Sequence, residues 1–181
     1  VYNRYMNLYL VRHGQTDWNT QRIIQGQTDI PLNATGVAEA EKLKPKIDKL
    51  PIEICVSSPL LRARKTAEII VGGRCKIIET DLLKERGFGD FQGKSTSVYR
   101  VNYWDPTLDL SDHNVESMRE LLARARKFLN WVQELGYENV LVVSHGDFLK
   151  AVHYSLVGYN EKTDFFDWHM RNCEVVETSL I

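Results

Sequence analysis

Short apolar runs alternate along the chain with stretches whose apolar residues recur every three to four positions, and this alternation restricts the fold more than any other feature. Residues 5–11 carry Leu8, Leu10 and Val11 in a strand-length run that stops at a charged, glycine-containing segment. Residues 52–57, Lys76–Glu79 and residues 140–144 repeat that pattern, and residues 173–180 alternate weakly as a last strand. Between them lie helices. Asn33 is the N-cap of one that runs to about residue 50, with Val37, Ala40, Leu43, Ile47 and Leu50 on one face and a kink predicted at Pro45. Pro59 at a first helical position opens a second, carrying Leu60, Ala63, Ala67 and Ile70 and ending at Gly72-Gly73. The strongest stripe is Met118, Leu121, Leu122, Ala125, Phe128, Leu129, Val132 and Leu135, closed by Gly136. A last helix, about 148–156, follows Gly146. Strand–helix alternation of this kind predicts an α/β sandwich with a largely parallel central sheet.

In such sheets ligands sit beyond the carboxyl ends of the strands. Two of the predicted strand ends read Arg12-His13-Gly14 and Ser144-His145-Gly146. The first opens into residues 12–32, a long aperiodic stretch rich in Gly, Gln, Asn and Thr, and long loops inside compact domains usually bind something.

At 181 residues the chain suits one well-buried domain. Apolar residues at 43% and charged residues at 26% are ordinary for a globular protein, and a net charge of −1 provides no global field for nucleic acid or an anionic membrane. No apolar run is long enough to span a bilayer, and no secretory signal is evident. Cys55, Cys75 and Cys173 are odd in number and unpatterned, which predicts reduced thiols and a cytoplasmic location. Residues 1–5 precede Met6 and are assigned no function.

Breaking a phosphate monoester requires a site that holds a dianion, aims a nucleophile at phosphorus and protonates the leaving oxygen. The planar forks of Arg12 and Arg62 can each clamp two phosphate oxygens, and one such contact at 4 Å is worth about 4 kcal/mol at an effective dielectric near 20. His13 acts as nucleophile if one ring nitrogen is unprotonated, a state that flanking cations favour. A protonated His145 would add positive charge. Glu85, in the loop Glu85-Arg86-Gly87-Phe88-Gly89, would donate the leaving-group proton if burial keeps it neutral.

Leu10-Val11-Arg12-His13-Gly14-Gln15-Thr16 with Trp18-Asn19 resembles the signature of the histidine phosphatase superfamily, phosphoglycerate mutase-like branch. The likeness continues in the same order through Gln25-Gly26, Asp29-Ile30-Pro31-Leu32-Asn33, Gly36, Ser57-Ser58-Pro59-Leu60, Arg62-Ala63, Thr66-Ala67, Leu83-Lys84-Glu85-Arg86, Gly89, Gly93-Lys94, Glu116-Ser117 and Val143-Ser144-His145-Gly146. The resemblance implies a three-layer sandwich with a mixed, mainly parallel sheet, forming one domain with a small cap at about 86–115. It implies His13 as the phosphorylated nucleophile and a phosphate pocket of Arg12, Arg62 and His145 helped by Asn19 and the Gly146 amide. Glu85 would be the proton donor and then the base for water, while Thr16, Gln25 and Gly26 would line the pocket's edge. Hydrolysis in that family needs no metal or organic cofactor. The expected partner is a small phosphorylated metabolite, with no nucleic acid or membrane, and the expected assembly a monomer or homodimer.

Two outcomes share such a pocket, since either water or a second hydroxyl can take the phosphoryl group. The short stretch between Gly93 and Glu116 leaves no room for the long closing segment of the mutases, and Gln25 resembles the broad-specificity phosphatases; Glu85-Arg86 is mutase-like. Phosphatase is the reading taken, with phosphoglycerate mutase as the alternative and a non-catalytic phospho-ligand binder as a third. Phe91, Tyr99, Tyr103 and Trp104 are expected to pack the cap, Trp18 to pack the phosphate loop, Arg86 and Lys94 to be solvated surface charge, Arg64 and Lys65 to form an exposed helix face, and His153 to be structural.

Overall fold

The computed structural model describes residues 5–98 and 102–180, so the predicted cap residue Tyr99 lies outside the described residues. Five strands form one sheet: β1 (Met6–Arg12), β2 (Ile54–Ser57), β3 (Lys76–Glu79), β4 (Asn139–Ser144) and β5 (Val175–Leu180). Their spatial order is β3-β2-β4-β1-β5, with β5 antiparallel on the edge and the other pairs parallel. The sheet is therefore mixed and mainly parallel, as expected.

Because strand side chains alternate, each central strand feeds two cores. Leu8, Leu10, Ile54, Val56, Val140 and Val142 face α4 (Met118–Glu134) and α5 (Gly146–Val157). Tyr9, Val11, Cys55, Leu141 and Val143 face the other way, onto α2 (Ala34–Ile47) and α3 (Leu61–Val71). The chain thus leaves β1 toward one face and β4 toward the other, although the two strands are neighbours. That divergence opens a crevice at their carboxyl ends.

Capping chemistry explains most helix boundaries. The Asn33 side chain accepts the Gly36 amide at the start of α2, which runs unbroken through Pro45 and stops two residues later. Pro45 therefore removes only a last-turn hydrogen bond. Pro59 is not the first helical residue of α3: Leu60 is the N-cap, and Pro59 precedes it in a bend. Gly72, at φ 56°, ends that helix in the left-handed conformation a glycine takes without strain. Ser117 and Glu120 form a reciprocal capping box on α4, a signal present in the sequence as Ser-x-x-Glu. The stretch expected to be wholly irregular contains a short helix, α1 (Asp17–Thr20). No helix among the described residues is long and apolar enough to cross a membrane.

Candidate active site

Strand register brings the two His-Gly segments together. Val11 pairs with Val143 and Arg12 with Ser144, and Ser57 of β2 pairs with Val143 from the other side. The ladder runs one step past the strands, with His13 N–H donating to Ser144 O at 3.0 Å and Ser58 N–H to Val143 O at 3.0 Å. His13, Ser58 and His145 therefore emerge side by side. The two imidazole centroids lie 5.1 Å apart.

Backbone contact fixes the loop that follows His13. A Cβ on Gly14 would sit 2.5 Å from Gly36 O, and one on Gly36 would sit 2.1 Å from Gln15 O. Only glycine at both places lets the loop press against the first turn of α2.

A carbonyl oxygen can only accept, so the 2.7 Å contact from His13 Nδ1 to Gly14 O places the ring proton on Nδ1. Nε2 then carries a lone pair, and Arg62 Nε donates to it at 3.3 Å. Burial first, then the Arg62 and Arg12 guanidinium groups, hold the His13 pKa well below its usual value, against the opposing bond to Gly14. His145 is likewise held well below its usual value by burial, then by Arg62, His13 and Arg12. Desolvation and the two guanidinium groups thus favour the neutral form of both rings.

Arg62 is completely buried on α3. Its outer nitrogens donate to Gly26 O at 2.7 Å and Thr28 O at 2.9 Å. Arg12 donates from one outer nitrogen to Met170 O at 2.7 Å. Neither fork is wholly free to clamp two oxygens, as the sequence suggested; each is anchored on backbone carbonyls and offers its remaining N–H groups from a fixed position. Burial lowers the Arg62 pKa to about 10, which leaves it charged at neutral pH. Among the described residues two buried side-chain nitrogens have no hydrogen-bond partner, Arg12 Nε and His145 Nδ1. Buried polar groups are normally satisfied, so both mark a place for an acceptor.

Thr16 is fully buried and stands behind the cavity wall rather than on it. Its N–H donates to Asn19 Oδ1 at 3.0 Å, and its hydroxyl reaches Asn19 Oδ1 and Gln25 Oε1 at 3.0 and 2.9 Å. Both amide oxygens are thereby turned to Thr16, and both side chains belong to residues that line the cavity. Gly26 lines the cavity and anchors Arg62 through its carbonyl. Gly146 opens α5 behind Arg12, where a Cβ would lie 3.5 Å from the guanidinium carbon.

Glu85 docks on the first turn of α5. Phe148 N–H donates to its Oε1 at 3.0 Å and Asp147 N–H to its Oε2 at 3.3 Å. Burial first, then the Asp147 charge, raises its pKa, against the bonds from Arg86 and Phe148 amides and the Arg62 charge. The loop that carries Glu85 is held by Arg124 of α4, which donates to Leu82 O, Lys84 O and Glu85 O and forms a two-pronged pair with Glu116 at 2.7 and 2.8 Å.

Arg12, His13, Asn19, Gln25, Gly26, Arg62 and Glu85 line a single cavity of about 310 Å³. His145 is fully buried beside His13 and does not itself line the cavity. Sequence reading missed Ser58, whose Oγ is 2.8 Å from His145 Nε2, and Lys150 and Asp147 on the cavity wall. Lys150 was findable, because it follows Gly146 by four residues on one helix face. Arg86 is 2% exposed, not surface charge: it donates to Glu116 O and Tyr103 O at 2.8 Å and faces the rings of Phe88, Tyr103 and Trp104. Trp104 and Tyr103 line the cavity as well as packing, while Phe91 packs on Ile24, Phe88 and Val115. Arg64 and Lys65 are exposed and paired with Glu68, and His153 stacks on Trp168 at 4.4 Å. The three cysteines are unpaired. Among the described residues, no group of three or more His, Cys, Asp or Glu is placed to hold a metal ion.

Comparison with known proteins agrees with this geometry. The chain is 41% identical over 146 residues to the "Uncharacterized phosphatase PhoE" of Bacillus subtilis (strain 168), covering 79% of this chain and 73% of that protein. It is 34% identical over 182 residues to the "Probable phosphoglycerate mutase GpmB" of Proteus mirabilis (strain HI4320), covering 94% and 83%. The solved structure of a phosphoserine phosphatase from Entamoeba histolytica, in complex with 3-phosphoglyceric acid, superposes with a TM-score of 0.81 at 26% identity, covering 95% of this chain and 89% of that one. The family model described as "Histidine phosphatase superfamily (branch 1)" matches residues 8–180, nearly the whole chain and every residue of the cavity described above. This protein belongs to the histidine phosphatase superfamily.

Proposed function

We propose that the protein hydrolyses small phosphomonoesters through a phosphohistidine on Nε2 of His13. The observation that carries this reading is the unprotonated Nε2 of a buried His13, in a cluster with Arg12 and His145 whose Nε and Nδ1 have no hydrogen-bond partner among the described residues. A phosphoryl group placed there meets a nucleophile on one side and waiting donors on the others. The Nε2 lone pair attacks phosphorus, the bond from phosphorus to the ester oxygen breaks, and Glu85 gives its proton to that oxygen. The positive imidazole so formed keeps its Nδ1–H on Gly14 O. Glu85, now ionised, takes a proton from water as the water oxygen attacks phosphorus; the P–N bond breaks and inorganic phosphate leaves.

Arg12, Arg62, His145, Asn19, Gln25 and the Gly146 amide surround the phosphoryl group in this scheme, with Thr16 and Gly26 as supports. Residues at about 86–115 act as the cap of a single domain, contributing Phe88, Tyr103 and Trp104 to the cavity. The unpaired cysteines support a reducing, cytoplasmic setting.

Likeness to a protein named as a phosphoglycerate mutase keeps one other outcome in view. The mutase-like Arg86 does not favour it, since that side chain is spent on packing and backbone carbonyls. The test is a panel of phosphorylated metabolites assayed for both phosphate release and isomerisation, with a quench that traps acid-labile phosphoenzyme. Phosphate release with a labelled His13 supports the reading. Isomerisation without release replaces it by the mutase, and a labelled residue other than His13 overturns it.

A further inference from the structure

The β1–β5 ladder stops at the Val11–Val175 pair, short of His13. A turn at residues 171–174 then takes over from the strand. Cys173 N–H donates to Arg12 O at 2.9 Å, and Met170 O accepts from the Arg12 guanidinium at 2.7 Å. Asn172 Nδ2 donates to His13 O at 2.8 Å. A carbonyl oxygen can only accept, so the amide nitrogen of Asn172 is the atom that faces His13. The turn does not need that bond to close. Glu174 N–H donates to Arg171 O at 3.2 Å, and Arg171 N–H to Glu174 Oε2 at 2.7 Å. The turn also takes an uncommon conformation, with Cys173 at φ 51° although it carries a side chain. Backbone in such a region persists only where its surroundings over-determine it, and here two of the anchors are the carbonyls of Arg12 and His13.

Asn172 holds one end of a rigid plane. His13 C=O and Gly14 N–H belong to the same peptide unit. Asn172 grips the first, and Thr66 Oγ1 of α3 accepts the second at 3.0 Å. Thr66 is fully buried and its hydroxyl donates to Arg62 O at 2.7 Å, which ties that end to the helix carrying Arg62. The next peptide is held in the same way. Gly14 O accepts His13 Nδ1, and Gln15 N–H donates to Glu39 Oε2 of α2 at 2.8 Å. The direction of Gly14 O, which keeps the ring proton on Nδ1 and leaves Nε2 bare, therefore depends on both planes. Thr66 and Glu39 pull from helices on one face of the sheet, whereas Asn172 is the anchor supplied from its edge.

We propose, resting on the reading of His13 as nucleophile, that Asn172 is a positioning residue for the reaction: its amide sets the His13–Gly14 peptide and, through it, the aim of Nε2 at phosphorus. The experiment compares the wild type with Asn172→Leu, close in shape but without a donor, and Asn172→Asp, of the same shape and an acceptor only when ionised. Thermal melts establish which variants are folded, and either one carries both readouts alone. Rapid-quench trapping with 4-nitrophenyl phosphate should show phosphoenzyme forming about tenfold more slowly, the scale of one buried hydrogen bond lost with its acceptor left unpaired. Nitrogen-15 spectra should show His13 protonated on Nδ1 alone in the wild type and exchanging between Nδ1 and Nε2 in the variants, a change that a merely structural role would not produce. An unchanged rate, or a slower rate with the wild-type tautomer kept, overturns the assignment. If no phosphate is trapped on His13 of the wild type, the nucleophile reading falls instead, and the tautomer comparison alone then decides whether Asn172 orients this ring.

Discussion

Ser58 Oγ lies 2.8 Å from His145 Nε2 and also accepts the Leu60 amide at 3.3 Å. When that hydroxyl donates its hydrogen to Nε2, the ring proton of His145 sits on Nδ1, which has no hydrogen-bond partner among the described residues. His145 so arranged donates to an anion while still neutral. Ser58→Ala frees the tautomer, and kcat should fall about tenfold, the size of one hydrogen bond to a charged group. Nitrogen-15 spectra of the imidazole check the cause: a wild-type ring protonated on Nε2 would sink this account.

Replacing His13 by Ala removes the nitrogen proposed to bond to phosphorus. Turnover should drop by roughly a thousandfold or more, with the fold kept, since acid–base and nucleophile residues act as a unit. The trapped phosphoenzyme should vanish in parallel. Persistence of acid-labile phosphate on the variant would show that another side chain is the nucleophile.

The pH profile has two limbs with opposite causes. Below the depressed His13 pKa the nucleophile is protonated, and above the raised Glu85 pKa the acid has lost its proton. Activity should peak on the acid side of neutrality. Glu85→Gln should flatten the alkaline limb and harm alkyl phosphates far more than aryl phosphates, whose oxygens leave without a proton. Equal losses on both ester types would remove Glu85 as the donor.

Thr16→Val leaves the shape of the side chain and deletes its hydroxyl. It should destabilise by about 1 kcal/mol through the lost cap on α1. Because Asn19 and Gln25 lose the group that turns their oxygens inward, the inhibition constant for inorganic phosphate should rise about threefold to tenfold. A melt shift with no change in phosphate inhibition would make Thr16 a cap only.

Stability should follow the same imidazoles. The folded pKa values of His13 and His145 lie below their unfolded ones, so their contribution is full above about pH 6.5 and is lost as pH falls toward the folded values. Glu85 acts in the opposite sense, losing its share as pH rises. Calorimetry should show Tm falling between pH 7 and pH 5, a smaller fall in His13→Asn, and a stabilisation by phosphate that grows toward pH 5. An identical fall in that variant would place the acid sensitivity elsewhere.

Much of this was legible in the sequence, for identifiable reasons. Leu8 and Leu10 against Tyr9 and Val11 announce a strand buried on both faces, and the His-Gly pair marks where two such strands end. Helix α4 follows from its stripe alone. What stayed hidden depends on distances between segments far apart in the chain. That Arg86 is buried follows from the carbonyls of Tyr103 and Glu116, and that the pocket imidazoles have lowered pKa values follows first from their burial and then from two guanidinium groups contributed by β1 and α3. Lys150 reads locally as an ordinary helix lysine; only Trp104 and Phe166, brought from elsewhere, make it unusual.

The backbone-to-backbone seat of Gly14 on Gly36 separates two tasks that one loop would otherwise share. With the position of His13 set by that seat, residues 17–32 need not act as a measured tether between strand and helix. Provided Gly26 and Thr28 keep their carbonyls on Arg62, the intervening side chains Ile23 and Ile24 can be exchanged to suit a new leaving group without moving the reactive nitrogen. Substrate choice and chemical step can then diverge at different paces within a single stretch of chain.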